Sequence, residues 1–343
     1  MRLNVMLYLG VFTISAAIRG VIASRQVWVS AYWALLVFLF LFVAFRFDVG
    51  CDWGSYVGIF YAEQSSTVAD AFETRQPFYV ISLLALGDLG FSYLSFNVLG
   101  AVLFFAGIAV MARRQVDPLA FLILCFPVLI INMPMSGVRQ GIAIGLMCVA
   151  YMEFARERTV PYVIWVALAA AFHSSAMVFL ALTPLIPQMS IHKRIGYILV
   201  LLVPGVLALL GTETFEVANS RYLESDLESG GALFRILPLT ICGLLWGLVL
   251  RREWLQRFPK DAKLAMVGVL MMVGVIALMP LSSVIADRIA YYLMPLQAMI
   301  FARIPFLDIS LRRIWSIAPY AMLLVLFIAW SQLSSHFDTC YLP

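Results

Sequence analysis

Charge is what this chain has least of. Asp, Glu, Lys and Arg together make up 12% of it, against about 25% in soluble domains. That deficit excludes a soluble enzyme or a soluble binding module. Metal-ligand spacing is also lacking. The five cysteines, Cys51, Cys125, Cys148, Cys242 and Cys340, form no C-x-x-C pair and no Cys/His cluster, so a structural zinc site is not expected. There is no internal repeat, no low-complexity tract and no stretch polar enough for a separate soluble domain. The net charge of +4 sits in short loops and forms no continuous stripe, so nucleic acid is not an expected partner.

What is present is apolar. Hydrophobic residues are 63% of the chain and the mean hydropathy is +0.97. A helix needs about 20 apolar residues to cross a hydrocarbon core of roughly 30 Å. Such runs occupy 4 to 22, 27 to 45, 92 to 112, 117 to 133, 136 to 155, 195 to 210, 232 to 250, 264 to 280, 289 to 302 and 314 to 331. The first is followed by "IRGVIASRQ", which has no small-x-small cleavage site, so it reads as a first helix and not as a removable signal peptide. The expected fold is all-α: a polytopic integral membrane protein of about ten full transmembrane helices plus re-entrant or half-length helices. It forms one transmembrane domain over 1 to 343, with large outer loops at 46 to 76 and 211 to 231.

Orientation follows from Lys and Arg. "ARRQ" at 112 to 115, "RER" at 156 to 158, "HKR" at 192 to 194, "RREWLQRFPKDAK" at 251 to 263 and "RIPFLDISLRR" at 303 to 313 belong on the cytoplasmic side. The loops 46 to 76 and 211 to 231 are acidic and face outward. Two segments then follow from parity. Residues 77 to 88, "PFYVISLLALGD", are too short to cross and must lie in the interface or dip and return. Residues 160 to 187 must enter and leave on the same side as two half-length helices of about 13 residues each, turning at Phe172, His173 and Ser174. His173 would sit at the tip of that hairpin, facing an outer cavity.

Ionisable groups in or beside membrane spans are costly, and each is a functional candidate for that reason. Arg46, Asp48 and Asp52 leave the outer end of the second span. Arg139, Gln140 and Arg288 stand in the first turns of helices that start on the same side, and Arg221 lies in the acidic outer loop. Convergence of arginines and helix starts suits an anionic substrate such as a diphosphate. A neutral His173 could take a proton from an attacking hydroxyl, and Asp52 could orient it or act as the base instead. A sugar could stack on Tyr291.

Each of these residues has a plainer reading. His173 could be a hydrogen-bonded packing residue, Arg139 could snorkel to the interface, and Arg221 could form a loop ion pair. Asp48 and Asp52 could cap a loop helix, and Gly50 and Gly54 could serve turns. Arg19 reads as a cytoplasmic anchor, and Trp28, Tyr32, Trp33, Tyr291 and Tyr292 as interfacial aromatics. Cys51 and Cys340 share the outer side, where disulfides can form; two free thiols are the expected state.

"FRFDVGCDWGSYVGIF", "SGVRQGIAIGL", "AFHSSAMVFL" and "DRIAYYL", in that order, resemble the EpsG family of bacterial exopolysaccharide proteins, related to the Wzy-type polysaccharide polymerases. The resemblance covers most of the chain and is strongest from Arg46 to Leu182. Cys51 and Trp53 stand where the usual R-x-x-x-G-T-D-Y pattern has threonine and tyrosine. The resemblance implies a GT-C-like architecture and a metal-independent glycosyltransferase without cofactor at the outer face of the bacterial inner membrane. It would transfer a glycan from one polyprenyl-diphosphate carrier to the non-reducing end of a repeat unit on another. Catalytic roles would fall on His173, Arg139 and Asp52, and substrate contacts on Arg46, Asp48, Gln140, Arg221, Arg288 and Tyr291. The implied partners are lipid-linked oligosaccharide, membrane lipids and other exopolysaccharide assembly proteins. No Asp-x-Asp motif calls for a divalent metal.

Three rival readings stand beside this one. A transporter or flippase of lipid-linked oligosaccharide would also use helix starts aimed at a central site, but no inverted repeat is visible. A membrane-bound O-acyltransferase would carry a histidine in apolar surroundings. An intramembrane serine protease could pair Ser136 with His173, though Pro134 stands where its glycine is expected.

Overall fold

The computed structural model of the chain describes residues 3–22, 24–186 and 231–341, together with positions 192 and 196. The span expected at 195 to 210 and Arg221 lie outside the described residues, as does all of loop 211 to 231 except Gly231. Every described element is helical. The helices are α1 (Leu3–Val21), α2 (Arg25–Ala44), α3 (Trp53–Glu63), α4 (Val68–Glu73), α5 (Pro77–Asp88), α6 (Tyr93–Ala112) and α7 (Pro118–Cys125). A π turn, Phe126–Ile130, extends α7, and α8 (Val138–Ala155) and α9 (Thr159–Phe172) follow. After a 3-10 helix, Ser174–Leu185, come α10 (Ala232–Leu245), which a π turn (Trp246–Leu250) carries on into a last helical segment (Arg251–Arg257), then α11 (Ala262–Gly274), α12 (Ser283–Arg303), α13 (Arg312–Leu333) and α14 (Ser335–Tyr341). Among the described residues, seven helical runs are long and apolar enough to cross a membrane, which makes this a polytopic membrane protein.

Burial sorts the helices into a centre and a rim. Of the spans containing α8 and α12, 83% is buried inside the protein, against 28% for α2 and 22% for α13. Leu119 through Cys125 of α7 are all buried. A helix apolar all round, as α7 is, belongs at the centre. The rim helices instead turn Val37, Leu41, Leu248, Ile317 and Val325 outward, as a lipid-facing surface requires.

Helices α6 and α8 cross at backbone contact. A Cβ on Gly107 would stand 1.8 Å from the Gly145 carbonyl oxygen, and one on Gly145 would stand 2.6 Å from the Leu103 carbonyl oxygen. Small residues let two backbones meet where no hydrophobic effect drives helices together in lipid.

Polar contacts sort the loops into two ends. At one, the Arg303 guanidinium donates to Gln115 (2.9 Å) and pairs with Asp261 (2.8 Å), Arg19 pairs with Asp117 (2.6 Å), and Lys263 lies over Phe154 (6.0 Å). The basic segments around 115, 156 and 260 therefore share an end. At the other, Arg46 donates to the carbonyls of Val43 (2.8 Å), Val49 (3.1 Å) and Met135 (3.0 Å) and to the Asn97 side-chain oxygen (3.0 Å). The chain thus leaves α2 and enters α6 at the same end, with α3, α4 and α5 in between. The Pro77–Asp88 helix has the length expected for a segment that does not cross.

The second short segment is a hairpin. The Tyr162 hydroxyl of α9 donates to the Phe179 carbonyl at 2.5 Å, so the chain reverses between them, at His173. Its first arm is α-helical as expected; the second is 3-10. Fourteen α residues rise about 21 Å and twelve 3-10 residues about 24 Å, so the arms match in length. Two other expectations are corrected. The span placed at 289 to 302 begins at Ser283, capped by the Ser282 hydroxyl accepting from the Ile285 N–H, because Asp287 and Arg288 mask its first two turns in a hydropathy reading. Tyr291 and Tyr292 are not interfacial but buried, at 5% and 0% exposure.

The α6–α8 crossing gives a direct test. Gly107→Val should lower folding stability by on the order of 3 kcal/mol, the upper range for overpacking, read as a lower thermal midpoint of the purified protein in detergent. A wild-type midpoint would contradict the close approach.

Candidate active site

A cavity of about 820 Å³ lies at the end of the bundle that holds Arg46. The first turns of four helices line it: Asp52 at the start of α3, Ser136 to Gln140 at the start of α8, Gly231 to Arg235 at the start of α10, and Val284 to Arg288 on α12. Helix starts carry unpaired N–H groups and the positive end of the helix dipole. Three arginines, Arg139, Arg235 and Arg288, join them against two carboxylates, Asp52 and Asp287, among the described lining residues. The opposite wall is apolar and aromatic, with Leu326, Phe327, Trp330 and Leu333 of α13.

Arg139 extends from α8 into a ring of neutral groups. It donates to Gln76 (3.0 Å) and to the Tyr56 hydroxyl (3.4 Å), and its guanidinium lies over the rings of Tyr79 (4.9 Å) and Tyr56 (5.4 Å). It therefore points into the protein and does not snorkel outward. Its hydrogen-bonding partners are neutral, and it makes no direct ion pair among the described residues. Gln140 on the next position donates to the Arg288 carbonyl at 2.7 Å and fixes α8 against α12.

Asp52 occupies the N-cap position of α3 but makes no side-chain capping bond. Its carboxylate faces the cavity instead. Burial pushes its pKa up from the ordinary carboxylate value while Arg139 pulls it back. His173 sits in the turn beyond α9, outside the spanning helices, and lines the same cavity. Its Nδ1 is 2.6 Å from the Ser175 hydroxyl. Burial, then the charges of Arg288 and Arg139, hold its pKa well below the usual imidazole value, so the ring is neutral at physiological pH.

Of the residues singled out in the sequence, His173, Arg139, Asp52, Gln140, Arg288 and Tyr291 line this one cavity. Arg46 and Asp48 do not. Arg46 is 7% exposed and its donors go to backbone carbonyls and Asn97, which makes it a clamp between α2, α6 and the turn before α8. Asp48 is exposed in a left-handed turn (φ 50°). Gly50 does serve a turn: at φ 113° its absent Cβ would overlap the Met135 carbonyl oxygen.

Two charged cavity residues escaped the sequence reading. Arg235 and Asp287 form a bidentate pair at 2.7 and 2.8 Å, with Arg235 over the Tyr291 ring at 5.6 Å. Arg235 stands inside the apolar run "ALFRILPL", and the rule that an intramembrane charge marks a site would have found it.

The free-thiol expectation is overturned. Cys51 and Cys340 form a disulfide with Cα atoms 4.5 Å apart across a sequence separation of 289. The cause is α14, a helix that hydropathy does not reveal. Its Phe337 packs on Trp330 (4.8 Å), Tyr341 (5.3 Å) and Tyr8 (5.8 Å), and the Gly50 N–H donates to the Cys340 carbonyl at 2.6 Å. The C-terminus is thereby bound beside Asp52. Non-reducing intact mass should show one disulfide. Cys51→Ser, Cys340→Ser and the double variant should lower the thermal midpoint by similar amounts, since any of them removes the whole cross-link. Additive losses would argue against the bond.

A sequence model of the EpsG family matches residues 30–343. No curated protein matches the chain, and neither does any solved structure.

Proposed function

The chain belongs to the EpsG family, membrane proteins of polysaccharide-polymerase type, and from that premise we propose that it elongates a lipid-linked glycan by metal-independent glycosyl transfer at the outer face of the bacterial inner membrane. The observation that carries this reading is the convergence of four helix starts and three arginines on one cavity. Such a site suits a diphosphate, and the aromatic wall of α13 offers an apolar face to the rest of a lipid-linked substrate.

In the reaction we propose, Arg139 and Arg288 bind the diphosphate of the donor. An acceptor hydroxyl oxygen bonds to the anomeric carbon of the donor glycan while the bond from that carbon to the phosphate oxygen breaks. The electron pair leaves with the polyprenyl diphosphate, whose growing charge the arginines and the α8 start stabilise. They supply the positive charge that a divalent cation would otherwise provide. His173 accepts the hydroxyl proton, and Asp52 orients the acceptor.

Outward orientation of the cavity rests on the basic segments gathered at the opposite end of the bundle, which the positive-inside rule assigns to the cytoplasm. A disulfide at the rim agrees with an oxidising compartment. A cysteine introduced at Glu63 should react with an impermeant thiol reagent added outside, and one at Lys260 should not. Labelling of Lys260 from outside would overturn the orientation.

The mechanism is tested by elongation of purified lipid-linked oligosaccharide. His173→Ala and Arg139→Ala should each lose about 10²-fold or more in turnover while folded protein persists. Arg139→Ala should also weaken donor binding, and Arg139→Lys should restore only part, lacking the planar fork. Wild-type elongation by His173→Ala would remove the base assignment and pass it to Asp52. Donor translocation without elongation by the wild-type protein would sink the polymerase reading.

The pH dependence has a definite sign. With its pKa depressed, His173 is neutral above that value, so activity falls only as pH drops through it. Bound diphosphate offsets the arginine charges that help depress it. The acid limb of kcat, which reports the substrate complex, should therefore lie at higher pH than the acid limb of kcat/KM, which reports the free protein. Coincident limbs would exclude His173 as the titrating base.

A further inference from the structure

His173 has two ring nitrogens, and its neighbours decide which of them carries the proton. Nδ1 lies 2.6 Å from the Ser175 hydroxyl oxygen. The Ser175 hydroxyl donates to the Tyr292 hydroxyl oxygen at 3.1 Å, and that oxygen lies 3.4 Å from Nδ1. A serine has one hydroxyl proton. With that proton directed to Tyr292, the 2.6 Å contact is bridged by a proton on Nδ1; the reversed relay, Tyr292 donating to Ser175 and Ser175 to Nδ1, would instead place the ring proton on Nε2.

We propose that Ser175 and Tyr292 are positioning residues that hold His173 as its Nδ1–H tautomer, leaving Nε2 unprotonated for the cavity; the proposal rests on the reading of His173 as the base. The local fold builds the arrangement. His173 is extended (φ −150°, ψ 110°) and the 3-10 helix starts at the next residue, its first turn closed by the Ala176 N–H donating to the His173 carbonyl at 3.0 Å. That turn brings the Ser175 hydroxyl against the imidazole two residues earlier. Tyr292 is held from behind: its carbonyl accepts from the Tyr151 hydroxyl at 3.0 Å, its ring lies 5.2 Å from that of Phe179, and it is fully buried.

The tautomer decides whether the proposed reaction can run. With the proton on Nδ1, the Nε2 lone pair takes the acceptor hydroxyl proton as that oxygen bonds to the anomeric carbon. The resulting imidazolium donates from Nδ1 to Ser175 in a charge-assisted bond. With the proton on Nε2, the ring could only donate to the acceptor oxygen and could not deprotonate it. A histidine fixed in the wrong tautomer costs about 10⁴ in turnover in serine proteases.

Nitrogen-15 NMR of the full-length protein labelled at histidine reads the tautomer directly. The chain has three histidines, His173, His192 and His336, and the signals missing from His173→Ala identify those of His173. A protonated Nδ1 and a bare Nε2 are expected; a protonated Nε2 at neutral pH would overturn the proposal. Kinetics give the second arm. Ser175→Ala should lower kcat about tenfold or more with KM for the lipid-linked donor little changed, and Ser175→Thr should recover most of it. Tyr292→Phe frees the serine proton to turn toward Nδ1, so it should shift the ring toward Nε2–H and lower kcat although the Ser175 hydroxyl remains. Wild-type kcat in Ser175→Ala alongside an inactive His173→Ala would reject the positioning role and leave the base assignment standing. Wild-type kcat in His173→Ala would reject the base assignment, while the nitrogen spectrum would still judge the tautomer.

Discussion

A guanidinium inside a bilayer protein must be held by other polar groups, because removing it from water without compensation costs several kcal/mol or more. That requirement organises this fold. Arg303 binds Gln115 and Asp261 while its guanidinium lies over Phe258 and Trp254, which ties three loops together at one end. Arg19 binds Asp117, itself the N-cap of α7. At the other end Arg46 gathers carbonyls from two segments and the Asn97 side chain. Apolar packing in lipid is weakly directional, so these anchors contribute register that packing alone would leave loose.

The anchored arginines and the cavity arginines come from one residue type under one constraint, with different outcomes. Arg46 meets carbonyl oxygens with all three of its side-chain nitrogens; Arg303 and Arg19 meet carboxylates. Arg139 meets a glutamine, a phenol and two ring faces. Neutral partners engage Nε and Nη1 of the guanidinium and leave its charge to act on the cavity, which is the condition an anion-binding site needs. The Arg46 clamp, the Gly50 turn and the Cys51–Cys340 bond then fix Asp52 beside it. Much of the outer polar structure therefore supports the two residues at its centre.

Much of this was legible in the chain. Apolar length located the helices, and the parity of basic loops required Pro77–Asp88 to stay at one end and the chain to reverse at His173. Both inferences use local properties, namely the hydropathy of a window and the sign of charge in a short loop. The same reasoning failed where local signals were masked. Asp287 and Arg288 hid the first turns of α12, Arg235 was absorbed into a span, and the polar α14 has no hydropathy signal.

Sequence by itself determined that the chain lives in a membrane, where most of its helices fall, and which of several polar residues are too costly to be incidental. The tertiary structure decided which of those residues meet. Arg46 and Arg139 are indistinguishable as arginines at the edges of apolar runs; their difference lies in what other helices bring to them, backbone carbonyls from the turn before α8 in one case and an open cavity in the other. The pairing of Cys51 with Cys340 and of Arg235 with Asp287 likewise depends on helix packing over separations of 289 and 52 residues. Hydropathy is a property of neighbours along the chain, whereas hydrogen bonds, ion pairs and disulfides are set by distances of a few ångströms in space.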